Sequence, residues 1–367
     1  MNATMLAKSL RCCALCLYLL SWEHAAAASK VVPDLLDQSA QASVRARNAV
    51  TLAVATAGSR LVAVGEQGTV LLSDDNGNSW KQADAVPVSV ALTGVQFVSP
   101  DEGWIIGHGG VVLHTADAGK TWQRQLDGRR IGELASEEAR ALESDDAAPK
   151  WLARNAERLV EDGPDKPLLG LYFADARHGL VVGAYGLALQ TDDGGKSWRS
   201  IIGRFANPRG LHLYAITPIA NGFLVAAEQG NVFLSTDGDS YFALLKSAYP
   251  GTYFGALALD GEHVLAFGLR GNAWAYGLPD QSWTHVALPD AATLTAGLKL
   301  PGGDVVLADE GGRLFRLRGG AASAVALQGA AAGGISGMTR TTDGALVLAS
   351  IRGPLRVELK SAVAEVE

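Results

Sequence analysis

The chain has 367 residues, 48% hydrophobic and 19% charged, with a formal net charge of −7. A chain this long can bury a self-sufficient core. The acidic balance argues against a general nucleic-acid binder, whose affinity rests on neutralising phosphates.

The first residues read as an export signal. Lys8 and Arg11 supply a basic start, Cys12-Cys13-Ala14-Leu15-Cys16-Leu17-Tyr18-Leu19-Leu20 an apolar stretch, and Ala25 to Ala28 a small-residue run before Ser29. That stretch is too short to span a bilayer, and cleavage near Ala27 or Ala28 is expected. Leu15 before Cys16 argues against a lipoprotein. All three cysteines, Cys12, Cys13 and Cys16, lie in this segment. The mature chain, residues 29–367, then has no disulfide, thiolate metal site or cysteine nucleophile, and a net charge of −8. It is expected to be a periplasmic or otherwise exported monomer.

Beyond the signal the chain repeats itself. Leu61-Val-Ala-Val-Gly65-Glu-Gln-Gly68 aligns with Trp104-Ile-Ile-Gly107-His-Gly-Gly110 and Leu180-Val-Val-Gly183-Ala-Tyr-Gly186. Weaker copies end at Gly230, Gly271, Gly312 and Gly353, making seven. Successive copies are 42, 76, 44, 41, 41 and 41 residues apart, the long step being a normal one plus an insertion. A period of about 40 residues built from short strand-like runs and glycine turns is that of propeller blades. The expected fold is all-β: a seven-bladed β-propeller with a helical insert at about 128–167 between blades 2 and 3. The last copy supplies three strands. Residues 42–47 are expected to complete it and close the ring, with residues 361–367 as the alternative.

Three copies carry Ser/Thr-x-Asp-x-Gly-x-Ser/Thr-Trp intact: Ser73, Asp75, Gly77 and Trp80; Thr115, Asp117, Gly119 and Trp122; Thr191, Asp193, Gly195 and Trp198. The chemistry is local. The carboxylate accepts backbone N–H groups across a tight turn, the glycine takes a left-handed conformation and the indole is buried between blades. Ser235-x-Asp237 and Ser282-Trp283 are eroded copies. These motifs sit on turns between third and fourth strands and are read as structural.

The motif is the Asp-box, or BNR repeat. On Gly65-Glu-Gln-Gly68, Gly107-His-Gly-Gly110 and Gly183-Ala-Tyr-Gly186, each followed by its Asp-box, the chain resembles the photosystem II stability and assembly factor family. The insert and Gly268-Leu-Arg-Gly-Asn272 resemble its bacterial branch found beside RND-type exporters. The resemblance implies a non-enzymatic assembly or accessory factor for a membrane protein or transporter complex, without cofactor. Later copies depart from the consensus, which weakens the carry-over there. Sialidases also carry Asp-boxes, so a sialidase-like glycoside hydrolase or a carbohydrate-binding propeller is the alternative. That chemistry needs an arginine triad, a Tyr–Glu pair and an aspartic acid/base, and no arginine motif stands near the first mature strand.

A partner is expected on the opposite face, where turns between second and third strands meet the inter-blade connections. That face would hold Glu66, Gln67, His108, Tyr185, Glu228, Gln229, Arg270, Glu310 and Arg352. Arg129, Arg130, Arg204 and Arg209 join them, so six arginines are expected to form a basic patch suited to carboxylates or phosphates, and hence to an anionic ligand or a membrane-protein segment. In the insert, Leu152, Ala156 and Val160 form a helical stripe, and Pro149 suits a first turn. No His, Asp or Glu cluster has metal-ligand spacing.

Overall fold

The computed structural model describes residues 33–319, 321–327 and 333–359. The expected export signal and residues 361–367 lie outside them. Among the described residues seven antiparallel meanders follow one another, six of four strands and the last of three. Their first strands are Thr51–Ala57, Leu92–Phe97, Leu168–Phe173, Leu213–Ile219, Tyr253–Ala258, Leu294–Lys299 and Ile335–Arg340. Each first strand packs beside the next, and the seventh returns to the first, so they ring a central channel. This is the seven-bladed propeller expected from the repeat.

Burial explains the sequence pattern. Second strands such as Gly103–Gly107 and Gly179–Gly183 are covered on both faces and buried throughout, so they read as unbroken apolar runs. Fourth strands such as Ala243–Lys246 and Ser282–Val286 lie at the rim and are mostly exposed, so they carry little signal.

Ring closure differs from expectation. Residues 42–47 form no strand; Ala46–Asn48 is a single 3-10 turn, and Ser43 N–H and the Gln41 carbonyl bond the Gln82 amide of blade 1 at 3.0 and 2.9 Å. Within the described residues blade 7 has three strands, and side chains link it to blade 1. The Thr51 hydroxyl donates to the Ser350 carbonyl at 3.2 Å and accepts its N–H at 3.0 Å. Ser336 donates to the Thr51 carbonyl at 3.0 Å, and Arg356 to the Asn76 carbonyl at 3.0 Å. Val347 and Ala349 of blade 7 pack with Leu61, Ala63 and Trp80 of blade 1.

The insert forms two helices, α1 (Gly128–Ala141) and α2 (Leu152–Asp162). Asp127 caps α1, its carboxylate accepting the Arg129 N–H at 3.0 Å. Ile131, Leu134 and Ala135 of α1 join Leu152, Ala156 and Leu159 of α2 in the core shared with blades 2 to 4. The expected stripe is corrected at one place: Leu159 is buried and Val160 is 55% exposed. Pro149 precedes the helix, its carbonyl accepting the Leu152 N–H at 2.9 Å.

Candidate site at the channel mouth

The Asp-boxes hold turns, as their chemistry requires. The Asp75 carboxylate accepts the Ser73 hydroxyl at 2.8 Å, the Ser79 N–H at 2.8 Å and the Ser79 hydroxyl at 2.6 Å, and the Trp80 indole donates to the Gly77 carbonyl at 3.2 Å. Asp117 and Asp193 repeat the same carboxylate bonds. The hydroxyls of Ser79 and Ser197 lead the causes that hold Asp75 and Asp193 down at about 2. These carboxylates are engaged within their own turns.

At the other end of each blade, the turn between second and third strands ends on a glycine, and in blades 1, 2, 3 and 5 it also begins on one. A Cβ on Gly65 would lie 1.9 Å from the Val50 carbonyl oxygen, where the chain starts the inner strand, so the backbones approach too closely for any side chain. Gly68 has φ +68°, and a Cβ there would lie 2.1 Å from the Val88 carbonyl of the connection to blade 2. Gly110, Gly186, Gly230, Gly271, Gly312 and Gly353 all take positive φ at the matching position. Each turn is therefore clamped between the start of its inner strand and the next connection. Blades 4, 6 and 7 carry Ala227, Asp309 and Ser350 in place of the first glycine, and in blade 6 the replacement is charged. Its buried carboxylate accepts the N–H groups of Ala292 and Arg313 at 3.1 and 2.9 Å and the Arg313 guanidinium at 2.7 Å.

These turns bring Glu66, Gln67, His108, Tyr185, Glu228, Gln229, Arg270, Glu310 and Arg352 to one end of the ring. The arginines do not make the expected basic patch. Arg129 pairs with Asp37 at 2.7 Å, and Arg130 with Glu133 and Glu137 at 2.7 and 2.8 Å. Arg204 turns away, donating to the Asp239 carbonyl at 3.0 Å and to Gln190 at 3.1 Å; Asp239 belongs to the third-to-fourth-strand turn of blade 4, at the far end. Arg209 donates to Gln229 at 2.9 Å. Arg270 and Arg352 remain exposed on their turns, in different blades. Nearby carboxylates therefore neutralise Arg129 and Arg130.

What the face does present is an aromatic chain. Ring centroids run from Tyr185 to His212 at 4.9 Å, His212 to Tyr214 at 6.3 Å and Tyr214 to Phe254 at 5.1 Å. Arg158 of α2 lies 5.4 Å from the Tyr185 ring centroid and Lys166 5.6 Å from it, within cation–π range. Glu228 accepts the His212 N–H at 2.9 Å and lies 3.3 Å from its Nδ1. Burial, followed by the Glu228 carboxylate, raises the Tyr214 hydroxyl above its ordinary range, so this residue stays neutral at physiological pH.

Tyr214 and Phe254 belong to a seven-fold device. Every inner strand has a register shift near its start, leaving one extra residue at Leu52, Thr93, Leu169, Tyr214, Phe254, Thr295 and Ser336. All seven are half-buried and ring the channel mouth. Two of the hydroxyls tie blades together: Thr93 donates to the Leu168 carbonyl at 2.6 Å, and Ser336 to that of Thr51 at 3.0 Å, whereas Thr295 bonds the Ala308 carbonyl of its own blade at 3.5 Å. Leu169, Tyr214 and Phe254 make the apolar arc of the ring. Sequence reasoning missed these residues, although a signal exists: each is followed by Gly or Ala, as in Leu92-Thr93-Gly94 and Ile335-Ser336-Gly337. The small residue faces the neighbouring inner strand, and a Cβ on Gly337 would lie 3.2 Å from the Ala53 Cα.

Among the described residues no group of His, Cys, Asp and Glu could hold a metal ion, and no helix is long and apolar enough to cross a membrane.

Residues 44–148 match the family described as photosynthesis system II assembly factor YCF48. A stretch of 78 residues is 33% identical to the chloroplastic photosystem II stability/assembly factor HCF136 of Oryza sativa subsp. japonica, and spans 18% of this chain and 18% of that protein's length. In fold, the chain is similar to a structure described as YCF48 bound to D1 peptide, at TM-score 0.61 and 14% identity, covering 88% of this chain and 96% of the other. YCF48 from Cyanidioschyzon merolae aligns at TM-score 0.61 and 13% identity over 88% of this chain and 98% of its own. The WD40 propeller domain of Doa1 aligns as well, at TM-score 0.60 and 12% identity over 88% and 96%.

Proposed function

We propose that this protein is an exported, non-enzymatic propeller whose channel mouth holds a polypeptide segment of a membrane protein complex, as an assembly or accessory factor. The observation that carries this reading is the continuous aromatic chain Tyr185–His212–Tyr214–Phe254, which runs from the blade 3 turn beside α2 to the channel mouth. Partly exposed aromatic rings supply binding energy at small cost in side-chain entropy. The partial match to an assembly-factor family, and a neighbour in fold whose structure holds a peptide, support the same reading. The partner complex is proposed to be an RND-type exporter, reached after cleavage of residues 1–28. N-terminal sequencing of protein from the periplasmic fraction checks that step, with Ser29 or its immediate neighbour expected first.

Affinity purification from native membranes tests the binding reading. Wild-type protein is expected to recover subunits of one membrane complex. The Tyr214→Ala/Phe254→Ala variant is expected to lose at least tenfold of that recovery at unchanged melting temperature. Equal recovery by a folded double variant contradicts the assignment to the channel mouth, and recovery of a complex other than an exporter redirects the choice of partner.

A further inference from the structure

The cleft between blades 5 and 6, at the Asp-box end of the ring, is independent of the channel mouth. In blade 2 the Asp-box tryptophan closes the seam with blade 1. Its backbone N–H bonds the Ala85 carbonyl at 3.0 Å next to a bridge between Ala85 and Thr121, and its ring packs among Val62, Leu72 and Ala57. Trp80 closes the seam of blade 1 with blade 7. Phe242, which bonds the Arg204 carbonyl at 2.8 Å beside a Phe205–Phe242 bridge, takes the same place in blade 4. In blade 5 Trp283 packs with Leu224, Ala226 and Val232 of blade 4.

Blade 6 reproduces the backbone of this arrangement without the ring. Ala324 N–H bonds the Ala287 carbonyl at 2.9 Å, and Ala287 bridges Ser323, as Ala85 bridges Thr121. Ala324 thus stands where Trp122 stands. The facing wall has shrunk too: the cross-strand pair Val62–Leu72 of blade 1 corresponds to Leu265–Ala275 of blade 5, placing alanine opposite alanine. What remains is a cavity of about 410 Å³, lined by Leu259, Ala275 and Val286 from blade 5 and by Val305, Leu317 and Ala321 from blade 6. His263, held by Asp260 at 3.0 Å, stands at its polar edge with Thr284 and Arg318. A mostly apolar cleft of that size with few polar groups has the character of a small-ligand site.

We propose that this cleft binds a planar aromatic ring of indole size, supplied from outside the chain in place of the ring that blade 6 lacks. Free indole and a tryptophan held in a peptide present the same ring, and the test separates them. Isothermal titration of the purified full chain with indole, and with an acetylated, amidated Gly-Trp-Gly peptide, is expected to show saturable binding of at least one. The variant Ala324→Trp is expected to melt higher than wild type and to weaken that binding at least tenfold, because its own indole fills the cleft. Binding of indole alone identifies a small-molecule site, and binding of the peptide alone a polypeptide partner. Absence of both at millimolar concentration overturns the proposal, as does undiminished binding by the folded variant. If Ala324→Trp fails to fold, Ala275→Leu restores the counterpart of Leu72 and must weaken binding in its place; unchanged affinity there overturns the proposal equally.

Discussion

A single carboxylate shows how each Asp-box turn is held. Asp75 and Asp193 sit near 2 in the folded chain against an ordinary 3.8, because hydroxyl and backbone donors converge on the charged form. A depressed folded-state value means that the unfolded chain binds the proton more tightly. The contribution is therefore complete above about pH 4 and is lost as pH falls towards 2. The melting temperature is expected to drop across that window, and Asp75→Asn/Asp193→Asn to flatten the drop while lowering the plateau at neutral pH. Gly68→Ala is expected to destabilise by more than about 1 kcal/mol in a urea titration, since the position combines positive φ with a carbonyl at 2.1 Å from the new Cβ. Both features are legible in sequence, because Asp, Gly and Trp recur at a fixed spacing that suits a tight turn and the second turn glycine recurs once per blade. The ring of extra residues at the channel mouth is not, since Leu52, Thr93, Tyr214 and Ser336 share no side-chain chemistry. What they share is a backbone shift, and only the small residue that follows marks it.

Within the insert, one side chain fixes the helices to the propeller. The Glu138 carboxylate of α1 accepts the Ser200 hydroxyl at 2.5 Å, the Gly203 N–H at 2.9 Å and the Ile202 N–H at 3.1 Å, all beyond the last strand of blade 3 or at its end. Glu138→Ala removes three acceptor contacts from partly buried donors, a loss of about 1–3 kcal/mol. Hydrogen exchange is expected to quicken across α1 and α2 while the blades keep their protection. Unchanged exchange in the helices contradicts the anchoring role. The helices themselves are readable from composition and periodicity, but their orientation is not. The pattern Leu152, Ala156 and Val160 fits a helical face as well as Leu152, Ala156 and Leu159 does, and contact with the propeller decides between them. The expected arginine patch fails for the same reason: placement on a turn is legible in sequence, whereas the carboxylates that Asp37, Glu133 and Glu137 bring to them are not.

For the whole molecule, the number of blades follows from the repeat, and the manner of closure does not. The sequence pattern favours a strand from residues 42–47, yet blade 7 meets blade 1 through packed faces and the paired bonds of Thr51 and Ser350. Thr51→Val leaves the Ser350 N–H buried without its acceptor and is expected to destabilise the fold by about 2 kcal/mol, read from the midpoint of urea unfolding. Trp122→Ala, at a seam between neighbouring blades, is expected to cost about 3–5 kcal/mol. The two ends of the ring then divide the work. Asp-boxes secure the blades at one end, and the starts of the inner strands, with the turn that holds Tyr185, carry the aromatic chain at the other. A photo-crosslinking residue placed at Phe254, and in a second variant at Asn78 on the Asp-box turn of blade 1, tests that division directly in native membranes. Adducts with subunits of a membrane complex from position 254 and none from position 78 are predicted; adducts from position 78 without any from position 254 would contradict the account.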